Sequence, residues 1–240
     1  SVSPQYEAEE KITVNGNVDL YAVVFNRTTE TDLTEDQLPQ VDIYKYKQVI
    51  FVGDSRTEFM ENVLTGMGES ATKNVKFVCS AGKGLDWFTT TGWAQLYSIV
   101  QHDSNSILSK KTAVIFNFGV NDLSKSADYA EYYNWIAPQL KSKGCELYFM
   151  SVNPVNRLML SNAGRADRSE AAVRSFNQYM KANLSSAYTY IDMYSYLKST
   201  GYSFASDHYG TGTVDDGLHY TTRTYKRIFA KCMDSLRVPV

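Results

Sequence analysis

Residues 48–56 read QVIFVGDSR: the apolar run Val49-Ile50-Phe51-Val52 passes through Gly53 and Asp54 directly into Ser55 and Arg56. A short apolar run that stops at a glycine reads as a strand. The pattern then changes to helical spacing over 57–66, and the same alternation recurs along the chain. Strands are read at 48–52, 75–79, 113–118, 146–152 and 188–192, and helices at 57–66, 128–142, 169–184 and 221–235. Short apolar runs alternating with longer helical patterns predict an α/β domain with a parallel sheet. In such a sheet, ligands meet the chain beyond the carboxyl ends of the strands, so the residues just after each strand are the ones to inspect.

Four such places carry chemistry. After the first strand, Ser55 presents a hydroxyl where a helix begins, and a helix N-terminus favours developing negative charge. Ser55 with Glu58 also matches a capping box, which needs no catalysis. After the second strand, Ser80-Ala81-Gly82-Lys83-Gly84-Leu85 offers glycines whose backbone N–H groups can approach a substrate oxygen. After the third, Gly119-Val120-Asn121-Asp122 places a side-chain amide that can donate to an oxyanion or cap the next element. Near the C-terminus, Asp216-Gly217-Leu218-His219 sets a carboxylate three residues before an imidazole, close enough to hold its Nδ1 proton and leave Nε2 as a base. Asp215 is a second possible partner for that histidine. The other two histidines, His102 and His208, lie in polar stretches and read as surface residues.

Taken together, the four blocks resemble those of the SGNH, or GDSL-like, hydrolases. The family's Gly-Asp-Ser, Gly, Gly-x-Asn-Asp and Asp-x-x-His motifs stand here at 53–55, 82–84, 119–122 and 216–219. The resemblance runs from about Val49 to the C-terminal helix. It implies a three-layer α/β/α, flavodoxin-like fold with a central parallel sheet, Ser55 as nucleophile, His219 as general base and Asp216 as its orienter. It further implies an oxyanion hole built from the Ser55 and Gly84 N–H groups and the Asn121 amide, with Gly82 a rival to Gly84. Arg56 stands where the family usually has leucine, which is expected to alter the pocket more than the mechanism. Ser80 stands where an asparagine is common.

Composition narrows the function from the other side. The 240 residues are 43% hydrophobic and 21% charged, with 24 basic against 26 acidic residues and no basic run to follow a phosphate backbone, so nucleic acid is not expected as a partner. The apolar stretches are far shorter than the roughly 20 residues of a membrane-spanning helix. Cys79, Cys145 and Cys232 are odd in number and scattered, giving neither a disulfide framework nor metal-ligand spacing. No cofactor and no metal are expected.

The N-terminal part differs in character. Residues 11–25 alternate and contain Asn15-Gly16, a tight-turn dipeptide, and Leu20-Tyr21-Ala22 resembles the end of an internalin-type B repeat of bacterial surface proteins. A small β segment and linker over 1–40 is expected to precede a hydrolase domain over 41–240. The repeat-like segment implies a secreted or cell-surface bacterial protein, with no signal sequence in this chain.

The expected reaction is hydrolysis of acyl, most simply acetyl, esters on carbohydrate, with an acylated small molecule or polysaccharide as the partner. Trp87, Phe88 and Trp93, which follow the second block, are candidates for sugar stacking and equally for packing. Three other readings compete: a lipid acyl hydrolase, a non-catalytic carbohydrate-binding surface module, and a domain in which Gly53-Asp54-Ser55-Arg56 cradles a phosphate.

Overall fold

The computed structural model describes residues 32–42, 45–103, 111–156, 160, 168–205 and 216–236. The expected N-terminal β segment, His208 and Asp215 lie outside the described residues. Five strands, β1 (Tyr46–Gly53), β2 (Val75–Cys79), β3 (Lys111–Asn117), β4 (Cys145–Met150) and β5 (Tyr188–Ile191), form one sheet in the order β2-β1-β3-β4-β5. Every pairing is parallel. This is the doubly wound, flavodoxin-like order, whose switch point lies between β1 and β3.

The apolar runs are explained by the two faces they serve. On one face Ile50, Val52, Val114, Phe116, Leu147 and Phe149 pack under helices α2 (Leu85–Trp87), α3 (Trp93–Asp103), α4 (Ser126–Ser142) and α5 (Glu170–Asn183). On the other, Val49, Phe51, Ala113, Ile115, Tyr148 and Met150 pack under α1 (Ser55–Met67), α6 (Met193–Thr200) and α7 (Thr222–Ser235). Phe51 and Phe116 are fully enclosed on opposite faces, and each contributes about 1.5–3 kcal/mol from burial. Within the stretch read as a linker, Leu38 is buried in the second core and Asp32 pairs with Lys226 of α7.

Two helical regions are absent from the reading of the sequence. Over 85–103 the helical spacing is interrupted by Thr89-Thr90-Thr91-Gly92, where the chain widens into a π turn over Phe88–Gly92 between α2 and α3. Helix α6 spans only eight residues, too few to show a clear period.

The sheet register brings the functional blocks level. Gly53 pairs with Cys79 on one side and Asn117 on the other, so the connections that follow β1, β2 and β3 leave the sheet from one edge. Gly53 itself has no room for a side chain: a Cβ there would lie 1.9 Å from Thr57 Oγ1 and 2.8 Å from the Asn117 carbonyl. The turn from β1 into α1 is that tight, and it delivers Ser55 straight to the sheet edge.

Candidate active site

Helix α1 is capped by Asp54, whose extended backbone (φ −97°, ψ −155°) places its carboxylate to accept the Arg56 N–H at 3.0 Å. The capping alternative for the Ser55 hydroxyl therefore falls away. With the cap supplied one residue earlier, Ser55 becomes the first helical residue and its hydroxyl is free to turn elsewhere. It lies 2.8 Å from His219 Nε2. His219 Nδ1 lies 2.6 Å from Asp216 Oδ2, while Asp216 Oδ1 accepts the Leu218 and His219 backbone N–H groups, each at 2.8 Å.

This turn settles protonation as well as position. Burial pushes the Asp216 carboxyl up, but the His219 ring and the two N–H groups outweigh it and hold it below the ordinary range. An ionised Asp216 keeps the imidazole proton on Nδ1, so Nε2 is the acceptor for the Ser55 hydroxyl. Phe59, one turn along α1, packs edge-on against the imidazole at 4.8 Å between ring centres. Ser55, Asp216 and His219 are all buried.

Beside Ser55 lies the connection after β2. Gly84 precedes α2, and its N–H has no acceptor among the described residues. Gly82, by contrast, is exposed, with φ +69° and open space around it. The Asp122 carboxylate accepts the Leu85 N–H at 2.9 Å and the Tyr129 hydroxyl at 2.7 Å, fixing the start of α2 against the β3 connection. Burial pushes the Asp122 carboxyl up, against the pull of those two donors.

Asn121 is held from both ends. Its Nδ2 donates to the Lys83 carbonyl at 2.8 Å, and its Oδ1 accepts from Arg168 Nη2 at 3.0 Å. The first bond fixes the plane of the Lys83–Gly84 peptide, whose N–H belongs to Gly84. It leaves the second Nδ2 proton for another acceptor. Arg168 also donates to the Val120 carbonyl at 2.9 Å. Nothing in the sequence marks Arg168, because it stands 47 residues beyond Asn121 in a polar stretch outside every motif.

One expectation about a side chain is corrected. Arg56 does not face a pocket or a phosphate: it is 2% exposed and donates inward to the carbonyls of Leu218, Asn153 and Pro154, each at 2.9 Å. Its cation is consumed by the fold, which removes the phosphate-cradle reading. Phe88 is wholly buried in the core, while Trp87, packed on Phe118, and Trp93, packed on Tyr97, are half-buried. Cys79, Cys145 and Cys232 are free thiols. Among the described residues no group of three or more His, Cys, Asp or Glu side chains is placed to hold a metal ion.

The arrangement holds the parts acyl transfer needs: a hydroxyl on an imidazole, a carboxylate fixing that imidazole, and donors on an adjacent edge. Comparison with known proteins points the same way. The family model described as GDSL-like lipase/acylhydrolase matches residues 49–232. No curated protein matches the chain in sequence. Among solved structures, a Slackia heliotrinireducens protein assigned to the SGNH hydrolases is 14% identical, with a TM-score of 0.53 over 80% of this chain and 100% of its own. An acetyl xylan esterase, AlAXEase, is 12% identical, with a TM-score of 0.51 over 79% of this chain and 100% of its own. A Bacteroides fragilis protein assigned as an acylhydrolase is 17% identical, with a TM-score of 0.51 over 84% of this chain and 92% of its own. At such identities the likeness is one of fold.

Proposed function

This chain belongs to the GDSL-like lipase/acylhydrolase family, and from that premise we propose that it is a serine esterase in which Ser55, His219 and Asp216 act as the catalytic triad. The observation that carries the reading is the continuous hydrogen-bonded line from Ser55 Oγ through His219 to Asp216, at 2.8 and 2.6 Å. Ser55 Oγ attacks the acyl carbonyl as its proton passes to His219 Nε2. The carbonyl oxygen becomes an oxyanion held by the Ser55 and Gly84 N–H groups and the remaining Asn121 amide proton. His219 then returns the proton to the leaving alcohol, and the acyl group stays on Ser55. Water, deprotonated by His219, attacks this ester, and collapse of the second tetrahedral intermediate frees the acid and restores the serine. No step requires a cofactor.

The acyl group we assign is acetyl, carried on a carbohydrate. Polar side chains border the oxyanion side, with Ser80, Lys83 and Asn121 partly or fully exposed there, which suits a hydroxyl-rich leaving group. Acetyl xylan is also the substrate named for one protein of the same fold. The test is the initial rate on p-nitrophenyl esters of increasing acyl length and on acetylated xylan, with Ser55→Ala beside the parent. The parent is expected to cleave acetate fastest and to release acetate from xylan. Ser55→Ala should lose about 10⁴-fold or more in kcat. A preference for long acyl chains would overturn the acetyl assignment alone, whereas equal rates for parent and Ser55→Ala would overturn the triad.

A further inference from the structure

We propose that Arg56 is a positioning residue that seats the His219 turn on the nucleophile's own helix and so sets the Ser55–His219 hydrogen bond. The proposal rests on Ser55 and His219 being the reacting pair. Arg56 directly follows Ser55 in the first turn of α1, and its side chain is buried. Its Nε donates to the carbonyl of Leu218, the residue before His219, and its guanidinium carbon lies 5.1 Å from the ring centre of Tyr220, the residue after it. Both chain neighbours of the base are thus held by the chain neighbour of the nucleophile.

The other arm of the guanidinium completes a brace. Nη1 and Nη2 donate to the Asn153 and Pro154 carbonyls, at the mouth of β4. That segment grips the His219 turn independently: the Tyr220 hydroxyl donates to the Pro154 carbonyl, and the Asn156 N–H donates to the Gly217 carbonyl at 2.8 Å. Helix α1, the β4 connection and the His219 turn therefore converge on one planar group. Arginine is suited to this place because its flat fork reaches three carbonyls at once; lysine carries a point charge that cannot span them. A leucine, usual at this place in the resemblance described above, makes none of these bonds.

A buried arginine on carbonyls can also serve only to hold a fold together, and the molecule contains that comparison. Arg227 of α7 is likewise buried, donates to the carbonyls of Gly201 and Thr200 and to Thr200 Oγ1, and lies over the Tyr196 ring. It secures the end of α6. If Arg56 only stabilises, Arg56→Lys and Arg227→Lys should differ in activity no more than they differ in stability.

The experiment measures kcat, KM and Tm for the parent, Arg56→Lys, Tyr220→Phe and Arg227→Lys on p-nitrophenyl acetate. It also records the low-field proton resonance of the His219 Nδ1–H held by Asp216. A displaced reacting pair costs up to about 10²-fold, so Arg56→Lys should lose 10- to 100-fold in kcat with KM within about threefold of the parent. The His219 resonance should move or broaden. Arg227→Lys should keep both the kcat and the resonance of the parent whatever its Tm. Tyr220→Phe removes only the bond to Pro154 and should show the Arg56→Lys effect in weaker form, which keeps the test open should Arg56→Lys fail to fold. Equal kcat and unmoved resonances in Arg56→Lys and Tyr220→Phe would overturn the proposal. A parent without turnover would overturn the esterase reading instead, and the resonance comparison would still decide the role of Arg56.

Discussion

The base side and the oxyanion side of the proposed site are built by different means. Asp216 and His219 belong to one tight turn whose internal bonds are all short-range, and the turn is fastened from outside by Arg56. The oxyanion side is spread over two connections, after β2 and after β3, and each depends on a residue supplied from a distance. Asp122 holds the start of α2 across 37 positions, and Arg168 holds Asn121 across 47. In the proposed mechanism one side works by charge and tautomer, the other by backbone spacing. A change on the base side should therefore alter how activity depends on pH, and a change on the oxyanion side should lower the rate at every pH alike.

Asp216→Asn gives the largest effect beyond that of the serine itself. An amide in place of the anion permits the wrong imidazole tautomer, and kcat should fall on the order of 10⁴-fold near neutral pH, as the same change does in serine proteases. The measurement is a full pH profile of kcat against that of the parent. A profile of unchanged shape would break the distinction between the two sides.

Asn121→Ala and Gly84→Ala test the other side. Loss of one oxyanion donor costs about 10²–10³-fold in kcat, and Asn121→Ala should reach the upper figure, since it also releases the Lys83–Gly84 peptide plane. Gly84→Ala should cost about 10²-fold by displacing a donor rather than deleting one. Its Cβ would stand 2.3 Å from Asp122 Oδ2, and that carboxylate is pinned by Leu85 and Tyr129, so the backbone at Gly84 is what must move. Neither variant should shift the pH profile. Because the two act on one peptide, the double variant should lose less than the product of the single losses.

This difference in construction also explains what could be read in advance. The strands and the four blocks were legible because each is local: an apolar run that ends in glycine and polar residues is both a strand and its exit, and an Asp and a His three apart need nothing further to meet. What was not legible depends on direction or on distance. The start of α1 at Ser55 rather than at 57 rests on the backbone angles of Asp54, which moves the cap to the carboxylate and frees the hydroxyl. Arg56 adjoins the nucleophile in sequence, yet only the packing of the β4 and His219 connections shows that it points inward. Arg168 carries no local signal at all. Spacing places chemistry, and the residues that hold it in place come from wherever the fold passes.

The smallest expected effect is on stability, and it sets one aspartate of each kind against the other. Asp54 is buried behind the nucleophile, and burial pushes its carboxyl from 3.8 up to about 6, against the pull of the Arg56 N–H and charge. A raised carboxyl favours folding most below 3.8, and that contribution is lost as the pH rises through 6. Asp54→Asn should therefore gain stability relative to the parent between pH 4 and pH 6 and hold the gain above it, by no more than about 3 kcal/mol at 1.36 kcal/mol per unit. Asp216, held below its ordinary value, has the opposite sign: its contribution is complete above 3.8 and declines as the pH falls, so Asp216→Asn should be less stable than the parent at neutral pH, with the gap closing in acid. Denaturant unfolding of the three proteins at pH 2.5, pH 4 and pH 8 compares the two, the interval above pH 4 reading Asp54 and the interval below it reading Asp216. A gap between Asp54→Asn and the parent that stayed constant between pH 4 and pH 8 would mean that the ionised Asp54 is better paired than its burial implies, and the contrast between a carboxylate fixed by the base turn and one enclosed under the nucleophile would disappear.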